Sequence, residues 1–323
     1  MTEQEYTPLL TADALKPLGK NLHRPESVQL LANGSIAVSH RGRGITLLTT
    51  DGNQHTIGPE NAMANGHELI PNGIASLADG GFLLANIGEG GGVWQLSAKG
   101  ELTPYLMEAE GRSLAAANFV MQTPDGRIWI TVSTMSHPRF NAYTERVRDG
   151  MIVLVEDGNA RILADDICFA NECRVSPDGN SLYIAETFSR SISRFNLAAD
   201  GSLSDRETFA QFGYGDFPDG LRFDSEGYLW LTSIVSNRIW RIAPDGTRNL
   251  ILEDAEPEHM AWVEEAKLEG RMGREHFYQV GDTKLGNAAS IAFSHDENHA
   301  WLGSLCGECL WQFPVKEIIG GNK

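Results

Sequence analysis

Only four cysteines occur in these 323 residues, too few to staple a chain of this length, and they are expected to stay reduced. No apolar run approaches the length needed to cross a bilayer, and no charged start leads into a short apolar segment of the exported kind. The expected compartment is therefore the cytoplasm, with no membrane partner. Basic residues are scarce too: 26 Lys and Arg stand against 43 Asp and Glu, giving a net charge of −17. Nucleic acids and anionic lipid surfaces are bound through basic patches, so neither is an expected partner. Glycine, in contrast, is abundant at 34 residues, and several of its positions follow a rule.

Five segments repeat one frame, in which a polar residue is followed eight positions later by a turn glycine. They are Glu26 with Gly34, Asn72 with Gly80, Asn118 with Gly126, Asn171 with Gly179, and Asp219 with Gly227. A sixth copy starts at Ala289 and reaches Glu297, having lost both the polar residue and the glycine. The starts are separated by 46, 46, 53, 48 and 70 residues, a spacing typical of repeat architectures.

Short apolar or alternating runs follow each turn, such as Ile128-Trp129-Ile130 and Tyr228-Leu229-Trp230, and further Asp-Gly and Lys-Gly turns close each unit. Runs of this length between Gly, Asn, Asp and Ser read as antiparallel strands joined by tight turns. Six four-stranded units predict an all-β fold, a six-bladed β-propeller occupying 1–323 as a single domain. The long last interval predicts an insertion at about 253–287, where Ala261 to Leu268 has helix-forming residues. The segment from Tyr6 to Leu22 is placed to supply the outer strand that closes the ring.

In a propeller the starts of the innermost strands lie together on one face. Glu26, Asn72, Asn118, Asn171 and Asp219 would then ring one mouth of the central channel. Hard cations such as Ca²⁺ take carboxylate and amide oxygens, and this set contains no Lys or Arg. A single Asn or Asp at a strand start more often just closes a turn. Five in one register favour a divalent cation site, and Ala289 makes it lopsided.

His23-Arg24-Pro25-Glu26-Ser27, Phe169-Ala170-Asn171-Glu172 and Phe217-Pro218-Asp219-Gly220-Leu221 together resemble the senescence marker protein, gluconolactonase and luciferin-regenerating enzyme family. That resemblance implies a six-bladed propeller lactonase with one catalytic cation, Ca²⁺ first and Zn²⁺, Mn²⁺ or Mg²⁺ as alternatives. It implies Glu26, Asn171 and Asp219 as metal ligands and Asn118 as a fourth ligand or substrate contact. Asp219 is the implied general base or nucleophile, and a small lactone or ester-like molecule the implied substrate.

Two positions depart from the family. Sugar-lactone members carry an arginine where this chain has Ala116, which predicts a less polar lactone, with Phe119, Phe188 and the Trp262 region as apolar neighbours. Glu172 stands where glycine is common; it is a substrate-side candidate or a solvated turn residue, and strand alternation favours the second.

Asn72, His40 and His137 complete the substrate-binding candidates, although a lone loop histidine is more often simply a satisfied polar group. His259 is a candidate for a second metal only. The glycine-rich Asn86–Gly92 loop lacks the lysine and helix of a phosphate-binding loop. Cys306 and Cys309 lack the second pair of a zinc site, and no Gly-x-Ser-x-Gly elbow is present. A phosphotriesterase of the diisopropylfluorophosphatase kind and a non-catalytic binding propeller remain as alternative classes, in a monomer or small homo-oligomer.

Overall fold

The computed structural model describes residues 6–319. Six sheets, each built on four antiparallel strands, form the blades of a β-propeller. The innermost strands are Val28–Leu30, Pro71–Ser76, Ala117–Gln122, Ala170–Val175, Asp216–Phe223 and Ala288–Phe293. Second strands such as Ile128–Val132 and Leu229–Val235 are buried throughout, because neighbouring blades cover both of their faces. Their sequences are accordingly apolar at nearly every position instead of alternating.

The core lies between blades. Ala75, Leu83, Val120, Ile130 and Val153 join the second and third blades, and Leu18, Leu48, Trp301 and Leu310 join the sixth to the first. Burial of each such large aliphatic chain is worth roughly 1.5–3 kcal/mol, so blade-to-blade contact holds the ring shut.

Closure uses the N-terminal segment, as its position suggested. Lys16–Leu18 pairs antiparallel with Leu310–Pro314 to complete the sixth blade. Leu10–Thr11 adds something the repeat did not predict, a short parallel fifth strand on the fifth blade.

The turn between the first two strands of the third blade shows why the frame carries glycine: Gly126 has φ +90°. Glu297, the sixth copy's counterpart, keeps a left-handed φ of 52° without being glycine, and its carboxylate accepts from the Ser225 amide and hydroxyl at 2.8 and 2.6 Å. Residues favour glycine in that region because a Cβ crowds the following carbonyl.

Between the fifth and sixth blades lie helices α1 (Pro257–Leu268) and α2 (Glu275–Tyr278). Glu256 caps α1 by accepting from the amides of Glu258 and His259, with Pro257 at the first helical position. Buried Glu264 pins α1 to the ring, accepting from Arg190 Nη2 and the Gly215 amide, each at 2.6 Å. That anchoring sets α2 over one mouth of the channel. No helix of the described residues is long and apolar enough to cross a membrane.

Candidate functional site

The ring residues do not sit on regular strands. In the third blade Ala117 pairs with Val132 and Phe119 with Thr131, leaving Asn118 as an extra residue. The same break falls at Asn72, at Asn171 with Glu172, at Asp219 with Gly220, and at Ala289. A bulge bends the strand and re-aims a side chain, and here five bulges turn the ring position toward the axis. Gly220 permits this closely: a Cβ there would lie 2.3 Å from the Ala289 carbonyl oxygen.

Glu26, Asn72, Asn118, Asn171 and Asp219 line one small cavity of about 40 Å³. All five are buried. Asn171 is oriented by Thr187, whose Oγ1 accepts from Asn171 Nδ2 at 3.0 Å and itself donates to the Pro218 carbonyl at 2.9 Å. This leaves Asn171 Oδ1 without a hydrogen-bond partner, and Asp219 Oδ1 is likewise unsatisfied among the described residues. Buried oxygens without donors are costly unless something positive meets them. Asn118 is held differently: its Nδ2 donates to Ser133 Oγ, and its Oδ1 accepts from Asn72 Nδ2, both at 3.0 Å.

Arg24 enters the cavity from the residue pair before Glu26. Its Nη1 donates to Glu26 Oε2 at 2.6 Å and its Nη2 to Asn72 Oδ1 at 2.8 Å. Burial pushes the Glu26 carboxyl above its ordinary range, and this contact opposes the shift. Asp219 has no such partner. Burial, then the charges of Glu26 and Glu172, push its carboxyl well above the usual range, with Arg24 and Arg139 acting in the opposite sense. Three oxygen-bearing groups, one of them an uncompensated acid, fit a divalent cation. No cluster of three or more His, Cys, Asp or Glu with metal-binding arrangement occurs among the described residues, so the donor set depends on amide oxygen.

Aromatic residues wall the cavity. Tyr143, Phe169, Phe188 and Phe277 line it and contact one another, with Tyr143 stacked on Phe188 at 4.9 Å and Phe169 edge-on to Phe188 at 4.7 Å. Arg139 also faces in, donating to Ser133 Oγ at 3.0 Å and lying 4.6 Å from the Phe169 ring, with no acidic partner in ion-pair contact among the described residues. Arg139, Tyr143, Phe277 and Tyr278 were not singled out by the repeat. They come from the loop after the third blade's second strand and from the insertion, outside the 46-residue frame.

Other expectations need correction. His40 lies outside the cavity, with Nδ1 2.7 Å from Thr46 Oγ1 and its ring stacked on His23, because strand pairing aims it at its own blade. Burial, then the neighbouring His23, pushes its imidazole down to about 4. His137 is exposed on the outer loop, 3.8 Å from Glu89. Glu172 is neither solvated nor in the cavity: it is buried, accepting from Arg174 Nη2 at 2.7 Å and the Leu221 amide at 3.1 Å. The bulge turns it down the channel instead of outward. Phe119 points to the opposite end of the channel and Trp262 packs on His276 at 4.3 Å, leaving Phe188 as the cavity wall expected from sequence. Cys306 and Cys309 are free thiols, as are Cys168 and Cys173. His259 Nε2 is buried without a partner, and its ring lies 5.8 Å from Trp262.

Comparison with known proteins identifies the relatives of this arrangement. Residues 39–256 match the family described as SMP-30/Gluconolactonase/LRE-like region. A 6-deoxy-6-sulfogluconolactonase of Pseudomonas putida is 30% identical over 170 residues, which cover 52% of this chain and 55% of that protein. The chain thus spans about half the length of the curated relatives it matches. Among solved structures, a gluconolactonase from Xanthomonas campestris superposes with a TM-score of 0.69 at 21% identity, covering 93% of this chain and 89% of that one. A calcium-binding regucalcin from Agrobacterium tumefaciens gives 0.62 at 18% identity, covering 92% and 95%. At these identities the structures speak to the fold.

Proposed function

Since the chain belongs to the SMP-30/gluconolactonase/LRE-like family, we propose that it is a hydrolase that opens a lactone ring with the help of one divalent cation, Ca²⁺ being the first choice. The observation that carries this reading is the convergence of Glu26, Asn171 and Asp219 oxygens on one cavity, two of them lacking any hydrogen-bond partner. Glu26, Asn171 and Asp219 would hold the ion, with Asn118 completing the shell or contacting substrate. When bound, the cation would polarise the lactone carbonyl and supply the positive charge that keeps Asp219 ionised.

The remaining work falls to the chain's own residues. Asp219 takes a proton from the attacking water, a general-base role that requires its carboxylate form. Thr187 holds the Asn171 amide in the orientation that presents oxygen. The wall of Tyr143, Phe169, Phe188 and Phe277 keeps bulk water out and gives the ring of the substrate a flat apolar face. A cavity of about 40 Å³ has room for an ion and its water, so a lactone needs the cover to shift; Tyr278, 48% exposed at the rim and hydrogen-bonded to Arg24, is part of that cover.

Arg139 revises the expectation of a less polar substrate. Ala116 supplies no guanidinium, yet Arg139 brings one to the same cavity, where it acts on Glu26 and Asp219 at a distance but forms an ion pair with neither. We therefore favour a lactone bearing an oxygen-rich or anionic substituent, a choice that the relative named for a sulfonated gluconolactone supports. The deciding experiment is turnover on a panel of neutral, sugar and sulfonated or carboxylated lactones, with and without a chelator. Hydrolysis that is lost on chelation and restored by Ca²⁺ is expected. Failure with every lactone and every cation, or a preference for organophosphates, would reject the reading.

A further inference from the structure

Three positions beyond each ring residue the inner strands face the channel again. Those positions are Gln29, Ala75, Met121, Arg174 and Arg222, and all five line a second, larger cavity of about 590 Å³. It opens at the opposite end of the channel, where the turns at Asp125 and Pro177 also border it. Its charge is unlike that of the upper mouth. Arg174 is neutralised by Glu172 at 2.7 Å and lies 4.3 Å from the Phe119 ring. Arg222 makes no side-chain hydrogen bond or ion pair with any described residue. Burial, then Arg174, pushes its guanidinium down to about 10, so it remains charged at neutral pH. The charges of Glu172 and Glu297 oppose that shift without either carboxylate reaching ion-pair distance of Arg222, and a bound anion in direct contact would relieve the remaining cost.

We propose that this lower cavity is a second binding site, for a small organic anion carrying one carboxylate on an apolar or aromatic body. Arg222 receives the carboxylate through its guanidinium, whose fork matches two carboxylate oxygens. Met121, Val175 and Leu197, all partly exposed, line the same space and receive the apolar part. An inorganic ion would leave those surfaces uncovered. The site does not depend on the hydrolase reading, since none of these side chains borders the upper cavity.

Titration calorimetry with 1-naphthoate tests it, using the intact protein with Ca²⁺ present. Arg222→Met should weaken binding by about tenfold or more, the usual effect of losing a hydrogen bond to a charged group, while Arg222→Lys, which keeps the charge but not the fork, should lose less than Arg222→Met. Arg139→Met, at the upper cavity, should change it by less than about twofold, since the two guanidinia share no partner. Neutral 1-naphthamide should bind wild-type protein at least about tenfold more weakly, a comparison that needs no variant. Absence of naphthoate binding at millimolar concentration, equal affinity for naphthamide, or loss in Arg139→Met with retention in Arg222→Met would each overturn the proposal.

Discussion

The two ends of the central channel are built by the same inner strands and carry opposite chemistry. At the upper mouth Glu26 and Asp219 crowd a cavity of about 40 Å³ with oxygens, and at the lower end Arg174 and Arg222 border one of about 590 Å³. The change takes three residues along a strand, from Asn171 to Arg174 and from Asp219 to Arg222. Between them Glu172 pairs with Arg174 on its lower side while its charge bears on Asp219 from beneath the ring. A repeat therefore sets where side chains meet, while the residue chosen at each register sets what they can bind.

The largest test of this contrast sets two aspartates against each other. Asp219→Asn keeps an oxygen at the upper ring but removes the base, and lactone turnover should fall by about 10²–10⁴ at saturating Ca²⁺. Asp178→Asn lies in the exposed turn of the lower face, where it accepts from Ser176 and Asn180, and should stay within a few fold. Equal losses would mean that the upper ring is not the reaction centre.

A second test leaves every ring oxygen in place. Thr187→Val removes the group that orients Asn171 and should weaken Ca²⁺ binding by about 10–100-fold, the usual effect of losing a partner behind a metal ligand. Calorimetric Ca²⁺ titration measures it. Unchanged affinity would remove Asn171 from the ligand set.

Arg139→Met sharpens the contrast in charge. The specificity constant for an anionic lactone should drop about tenfold and that for a neutral lactone should barely move. A uniform loss on both would assign Arg139 to holding Ser133 and the cavity wall.

The smallest effect concerns stability away from either end. His40 titrates near 4 in the fold against an ordinary 6.5, so the unfolded chain binds more protons between these values. Its contribution is complete above about 6.5 and is lost as the pH falls toward 4. His40→Gln should flatten the decline of melting temperature over that window, measured by thermal denaturation at half-unit steps of pH.

The ring was readable because a polar residue and a turn glycine recur at one spacing, and Asn118, Asn171 and Asp219 indeed share a cavity. The bulges were not readable, since they arise from pairing with a second strand whose register local periodicity does not report. His40 and His137 have the right residue type in plausible loops, yet one is turned into its own blade and the other left on the surface. Arg139, Tyr143, Phe277 and Tyr278 had no sequence signal: they lie in segments of irregular length, and only folding carries them to the channel.

By itself the sequence determined the number of blades, the closing role of the N-terminal segment and which residues face the axis, because these follow from strand-length periodicity and turn chemistry within each unit. Tertiary structure decided which oxygens are left without donors, which arginines are neutralised, and which aromatics cover the mouth. Those outcomes depend on contacts between blades and with the insertion, whose partners are far apart in the chain. Arg222 and Arg174 show the difference: each lies three residues past a ring position, but only the packed channel pairs Arg174 directly with Glu172 and leaves Arg222 with carboxylates acting on it from a distance.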